Sequence, residues 1–171
     1  MIICYLKSTV GSMITIVFAG LLLSAPAVFA QKTAQADLDK IPRKVMDGLK
    51  ARFPTAEIHK WSKEKEGDIF VFDFEFTQDG QKFEADIKED GTIHNWEKAV
   101  TFDSLPEGVK MAVENRYPKS TPKEIMVITA VKNGKDELEG YEIVLETADK
   151  KEVEVTVAPD GKILEDSADK K

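Results

Sequence analysis

The sequence predicts an α+β fold: a tandem repeat of one helix followed by a four-stranded antiparallel meander, with the helices packed on one face of the sheet. Three observations predict it. Apolar residues recur at helical spacing in two places, Ile41-Val45-Leu49-Phe53 and Leu105-Val109-Val113-Tyr117. Each stripe is followed by segments in which apolar and polar residues alternate with a period of two, the pattern of a strand with one buried face. The two stripes also stand at one fixed offset, 64 residues from Ile41 to Leu105, which carries Pro42, Arg52 and Pro54 onto Pro106, Arg116 and Pro118.

Residues 1–30 read as a signal peptide. Lys7 precedes an apolar run from Met13 to Leu23, and Val28 and Ala30 occupy the small-residue positions of a cleavage site, so the chain is expected to be cut after Ala30 and to be periplasmic or secreted. The apolar run is short for a membrane anchor, and no stable membrane insertion is expected after cleavage. Cys4, the only cysteine, leaves with this segment, and the remainder has no thiol, disulfide or cysteine metal site. Lys7 is also the only charge lost, so the mature chain is one unit more negative than the −7 of the full sequence. Such a surface repels nucleic acid and anionic lipid, which removes nucleic-acid binding from consideration.

Residues 31–38 are polar and without period, a flexible leader. The first unit is expected over 39–100. Its helix runs from about Ile41 to Arg52: Pro42 is tolerated in a first turn and Pro54 cannot continue a helix. Gly48 within it marks close packing. Phe70, Phe72, Phe74 and Phe76 alternate with Val71, Asp73 and Glu75, and Phe83, Ala85 and Ile87 repeat the pattern. The breaks at Asp79-Gly80 and Asp90-Gly91 are hairpin signals, because glycine adopts positive φ without a Cβ clash. Outer strands are expected near Ala56–Ser62 and Thr92–Lys98.

The second unit is expected over 101–166, with a charged tail at 167–171. Ser104 and Glu107 spell a capping box at the start of its helix. Tyr141, Ile143 and Leu145, then Val153, Val155 and Val157, continue the strand pattern, and Asp160-Gly161 makes the closing turn. The strand Glu124–Val131 is apolar on both faces, which suits burial at the junction of the units, or a dimer or partner edge. Units of about 64 residues are marginal alone, so they are expected to pack side by side, with one extended sheet as an option.

Two copies of [IL]-P-x3-V-x7-[FY]-P, each followed by an apolar meander closing on Asp-Gly-Thr-Ile or Asp-Gly-Lys-Ile, resemble the PepSY-like, beta-lactamase-inhibitor-like family of secreted bacterial proteins, over residues 39–166. The resemblance implies an extracytoplasmic fold like that of beta-lactamase inhibitor protein, with helices on one face of an antiparallel sheet. It does not imply inhibition of a beta-lactamase. The inhibitor carries disulfides in each repeat, and this chain after residue 30 has no cysteine.

The catalytic inventory is thin. The chain has no G-x-S-x-G, no H-E-x-x-H, no phosphate-binding glycine loop and no cofactor motif, so no enzyme is expected and no catalytic residue is assigned. The acidic turns at Asp79, Asp90 and Asp160 lack the distal ligands of a calcium loop and read as hairpins.

The distinctive constellation is IHKW, Ile58 to Trp61, and IHNW, Ile93 to Trp96, which hold both histidines and both tryptophans. On regular strands His59 and Trp61 share one face, as do His94 and Trp96, opposite Ile58 and Ile93. If the isoleucines face the helix, the His and Trp side chains decorate the open face. Three readings compete: the rim of the core, an aromatic anchor patch for a protein partner or small ligand, and a zinc or copper site, the last opposed by the distance between first and last strands. The expectation is an exported non-enzymatic binding module with His59, Trp61, His94 and Trp96 as candidate partner-binding residues, no metal and no cofactor. A periplasmic ligand-sensing or metal-sensing stress protein is the alternative. The sequence leaves the partner and the oligomeric state open.

Overall fold

The computed structural model describes residues 38–66 and 68–169; the predicted signal peptide, most of the leader and the end of the charged tail lie outside the described residues. The chain runs α1 (Arg43–Arg52), β1 (Glu57–Glu66), β2 (Ile69–Gln78), β3 (Gln81–Lys88), β4 (Ile93–Ala99), α2 (Glu107–Arg116), β5 (Thr121–Lys132), β6 (Lys135–Glu146), β7 (Glu152–Val157) and β8 (Ile163–Asp166). The strands lie in sequence order in one eight-stranded sheet, and every neighbouring pair is antiparallel.

This corrects the fold class predicted from the sequence. The described residues form a single eight-stranded antiparallel sheet with two α-helices, not a tandem repeat of a helix plus a four-stranded meander. β4 hydrogen-bonds to β5 from Asn95 opposite Ala130 to Ala99 opposite Met126, so the sheet has no division into four-stranded units. The physical reason is edge closure: separate meanders would leave both β4 and β5 with unpaired N–H and C=O groups, and small units bury too little apolar surface to stand alone. The strand that reads as apolar on both faces is therefore interior to the sheet, with Ile125, Met126, Ile128 and Ala130 all buried.

Both helices pack on the same face. Val45 and Leu49 of α1, with Ile41 and Phe53 at its ends, bury against Phe72, Phe74 and Phe76 of β2 and Phe83, Ala85 and Ile87 of β3. Val109 and Val113 of α2, with Leu105, bury against Ile125, Ile143, Leu145, Val153, Val155 and Val157. The helix endings behave as their prolines predict. The N–H groups of Phe53 and Tyr117 close the last turns onto the carbonyls of Leu49 and Val113 before the chain leaves for the sheet.

The capping box at Ser104 does not form. Pro106 is the N-cap of α2, with no side-chain cap, and the Ser104 hydroxyl donates to the Thr101 carbonyl in a preceding 3-10 turn, Phe102–Ser104. Proline with φ near −57° fixes the entry to the helix, and that start leaves Ser104 two residues too early to reach the first-turn amides.

Candidate functional site

The IHKW and IHNW segments sit at irregularities that a period of two does not contain. Ile58 stands opposite Phe76 and Lys60 opposite Glu75, so His59 is an extra residue in β1. In β4, Ile93 stands opposite Ile87 and Asn95 opposite Asp86, and His94 is the extra residue. A bulge of one residue shifts the alternation by one. Ile58 and Trp61 therefore both face the helices, as do Ile93 and Trp96, and all four pack against the core under α1. The placement expected from strict alternation, with the tryptophans on the open face, is corrected by these two bulges. Lys123 in β5 and Leu164 in β8 are bulged in the same manner.

Trp61 stacks on Phe72 with ring centroids 6.2 Å apart. Trp96 lies 6.1 Å from Phe53 and 6.3 Å from Phe83, and the Arg52 guanidinium stands 4.8 Å above its ring. That guanidinium also pairs with Asp136 at the start of β6. His59 is exposed, its Nε2 3.0 Å from Thr77 Oγ1. His94 is half-buried, and burial, helped by the nearby Lys88 charge, lowers its imidazole pKa. β2 and β3 separate the two histidines, and no three His, Cys, Asp or Glu side chains among the described residues converge as metal ligands.

The face turned away from the helices is of a different kind. Its register places acidic residues directly opposite one another on adjacent strands. One row reads Lys60, Glu75, Glu84, Glu97 across β1 to β4. The next reads Ser62, Asp73, Asp86, Asn95. On the other side of the face, Glu146 stands opposite Glu152. Glu75, Glu84, Glu97, Ser62, Asp73 and Glu152 of these rows line a groove of about 650 Å³ whose walls also include Glu64, Glu124, Glu142 and Glu154, against only two lysines, Lys60 and Lys123. Val71, Met126, Ile128 and Ala130 are buried on this face but do not line the groove, whose one apolar lining residue is Val144.

The lysines bind the walls from within. Lys60 donates to Glu75 at 2.6 Å, and this hydrogen bond raises its pKa. Lys82 bridges Glu84, 3.1 Å away, and Glu124; burial lowers its pKa, but the two carboxylates outweigh burial and the net shift is upward. Lys123 reaches Glu146 at 3.2 Å. Ser62, the one hydroxyl in the lining, donates to Glu64 at 2.9 Å. The groove offers carboxylates and ammonium groups, which suit it to holding a charged surface.

Sequence reasoning passed over this site. Its signal is nevertheless present: a two-residue turn at Asp79-Gly80 pairs Gln78 with Gln81, and counting back from it sets Glu75 opposite Glu84 and Asp73 opposite Asp86.

No family model matches the chain, and no curated protein matches it. Solved structures do. A DUF2874 family protein from Bacteroides uniformis aligns at 16% identity with a TM-score of 0.55, over 73% of this chain and 87% of that one. A DUF2874 family protein from Bacteroides ovatus aligns at 18% identity with a TM-score of 0.53, over 73% and 85%. A protein from Bacteroides eggerthii, proposed to be periplasmic, aligns at 16% identity with a TM-score of 0.57, over 74% and 87%. A Bacteroides fragilis protein described as BLIP-like aligns at 17% identity with a TM-score of 0.49, over 73% and 84%. None of these four is described as PepSY-like, and what the first three establish for this chain is its fold, shared with two DUF2874 family proteins and the Bacteroides eggerthii protein.

Proposed function

We propose that the protein is an exported, non-enzymatic binding module that contacts a protein partner through the uncovered face of its sheet. The observation that carries the proposal is the groove on that face, lined by many more carboxylates than lysines, on a fold whose other face is occupied by two helices. Its charge steers a basic partner toward it. The predicted leader, with cleavage expected after Ala30, supports a periplasmic or secreted location for the proposed activity, and the Bacteroides eggerthii neighbour is likewise proposed to be periplasmic. Trp61 and Trp96 stand outside the proposed contact surface, because their rings pack on the covered face.

The test is site-specific photo-crosslinking in cells. A photoreactive side chain at Glu84 or Glu142, in the groove, is expected to give a discrete protein adduct, and one at Met111, exposed on α2, is expected to give none. Absence of adducts at both groove positions, or equal adducts at Met111, overturns the proposal.

A further inference from the structure

The two edges of the sheet are finished differently. An edge strand exposes a row of unpaired N–H and C=O groups, which proteins blunt by shortening the strand, bulging it, covering it or setting charged side chains along it. At the far edge β8 is only four residues long, is bulged at Leu164, and passes directly into the 3-10 turn Ser167–Asp169. Ser167 Oγ then accepts the Glu154 N–H at 2.8 Å, so the turn closes part of β7 that β8 does not reach.

At the other edge β1 runs for ten residues and pairs only with β2 among the described strands. The His59 bulge interrupts it near one end, and the ladder from Lys60 to Glu66 is regular. Nor do its central lysines stand guard over the edge. Lys60 is drawn inward onto Glu75 of β2 at 2.6 Å. Lys63 is drawn inward onto Glu89 at 2.6 Å, its ammonium 4.7 Å from the Phe70 ring and 5.2 Å from the Phe72 ring. A long edge with its cations turned back over the sheet is a template for a further strand.

The order of side chains along this edge is self-complementary. On the groove's face β1 presents Lys60, Ser62 and Glu64, and on the helix-covered face Trp61 and Lys63. A second β1, antiparallel about a two-fold axis at Ser62, sets Lys60 of each copy opposite Glu64 of the other and Trp61 opposite Lys63, with Ser62 facing its own copy. Glu64, held within its own chain by the Ser62 hydroxyl at 2.9 Å, gains a cation. Neighbouring registers lose this match: an axis at Lys63 puts that lysine against itself, one at Glu64 puts Lys63 against Lys65, and one at Trp61 leaves Lys60 opposite Ser62. Independently of what the groove holds, we propose that a second copy of this chain pairs with β1 about the Ser62 axis, joining two eight-stranded sheets edge to edge. Main-chain hydrogen bonds supply the attraction and the charge order supplies the register. Lys60, Ser62 and Glu64 also line the groove, so the axis brings two grooves together.

The experiment is analytical ultracentrifugation of the exported protein over a range of concentrations, where a monomer–dimer equilibrium is expected. Lys60→Glu and Glu64→Lys are each expected to weaken the dimer about tenfold, because each sets like charges opposite one another on both sides of the axis. The double variant Lys60→Glu, Glu64→Lys restores opposite charges in the same register and is expected to recover the dimer to within about threefold of the wild type; a purely structural role for these side chains predicts additive loss instead. Should a reversal disturb the fold, Ser62→Cys combined with Cys4→Ser gives a second reading, since the axis sets position 62 against itself. Oxidation is expected to give a covalent dimer there and none for Met111→Cys with Cys4→Ser, on the exposed side of α2. A monomer at about 1 mM chain, a double variant as weak as the single ones, or equal crosslinking at Met111 overturns the proposal. So does a covalent adduct at position 62 with a foreign protein in place of the second copy.

Discussion

Under α1 the core is made of rings, with Phe53 edge-on to Phe76 at 4.8 Å and Phe76 stacked on Phe83 at 5.7 Å. Under α2 it is aliphatic apart from Tyr141 and, at its margin, Phe102 and Tyr117, with Leu105, Val109, Val113, Ile143, Leu145 and the three valines of β7. The helices themselves are of equal length and end alike, but they approach the sheet differently. A Cβ at Gly48 of α1 would run into the backbone carbonyl of Gly91 in the β3–β4 turn, whereas a Cβ at Gly108 of α2 would meet its nearest atom, the Asp160 carbonyl oxygen, at an ordinary 3.6 Å. Few large rings fix one end; many small branched side chains fill the other. The difference teaches that the helical spacing shared by the two ends specifies where a helix begins and stops, and leaves how it is held to the side chains between.

The widest separation between the two ends is expected from core truncation. Phe74→Ala removes a ring that is fully buried at the centre of the α1 core and is expected to cost about 3–5 kcal/mol, against about 0.5–1.5 for Ile143→Val at the centre of the other. Urea denaturation of both variants measures it. Equal losses would show that the structure collapses around the deleted ring and leaves little cavity at Phe74.

Gly48→Ala and Gly108→Ala sharpen the comparison at the helices. The obstacle at Gly48 is backbone, which cannot rotate aside, so the α1 variant is expected to lose up to about 3 kcal/mol, while at Gly108 the gain in helix propensity of about 1 kcal/mol should dominate. Opposite signs in thermal melts support the close approach of α1 to the β3–β4 turn. Two stabilising substitutions would refute it.

The third contrast is in how the arginine closing each helix is held. Arg116 donates to Asp166 at 2.7 Å, and the same nearly buried carboxylate accepts the Tyr117 hydroxyl at 2.6 Å and the Ala168 N–H at 3.0 Å. Burial alone would raise the Asp166 pKa, but the hydrogen bonds from Tyr117, Arg116 and Ala168 outweigh it and hold the carboxyl below its usual range. Tyr117 is pushed up to about 12, by burial first and then by its bond to Asp166. The signs follow. Asp166 contributes stability that is present above its unfolded pKa and lost as pH falls through the lowered folded value. Tyr117 contributes stability that is full below its unfolded pKa near 10 and lost as pH rises toward 12. Asp166→Ala is expected to cost about 1–3 kcal/mol at neutral pH and to flatten both limbs of the stability profile. An unchanged alkaline limb would mean that Tyr117 and Asp166 are not coupled.

Much of this framework was legible in residues 39–166, and the failures have local causes. Pro54 and Pro118 stop the helices because proline removes a donor, and the Asp79-Gly80 turn appears with φ of 53° and 76°, a region that glycine and aspartate enter at lower cost than most residues. The placement of the tryptophans was lost at His59 and His94: a bulge adds one residue without any compositional mark, and every side chain beyond it changes face. The continuous sheet was obscured for another reason. The pairing of β4 with β5 spans a helix and depends on closing two edges, a requirement that appears only when the whole sheet is assembled. The carboxylate rows needed the hairpin register as well as the residues, since Glu75 and Glu84 read singly as solvated strand positions.

The smallest effect is expected at Arg52, which unlike Arg116 has no buried acceptor. Its partner Asp136 is 41% exposed, and its guanidinium rests on Trp96. An exposed ion pair contributes at most about 1 kcal/mol and is screened by salt, whereas a cation over a ring contributes about 0.5–1 kcal/mol and depends less on screening. Asp136→Ala removes only the pair, and Arg52→Ala removes both contacts. At low salt both variants should be destabilised, Arg52→Ala more; in molar salt the loss for Asp136→Ala should vanish while a residual remains for Arg52→Ala, with a change in tryptophan emission. Identical losses at every salt concentration would mean that the ring contributes nothing. Arg52 would then differ from Arg116 only in the exposure of its carboxylate partner.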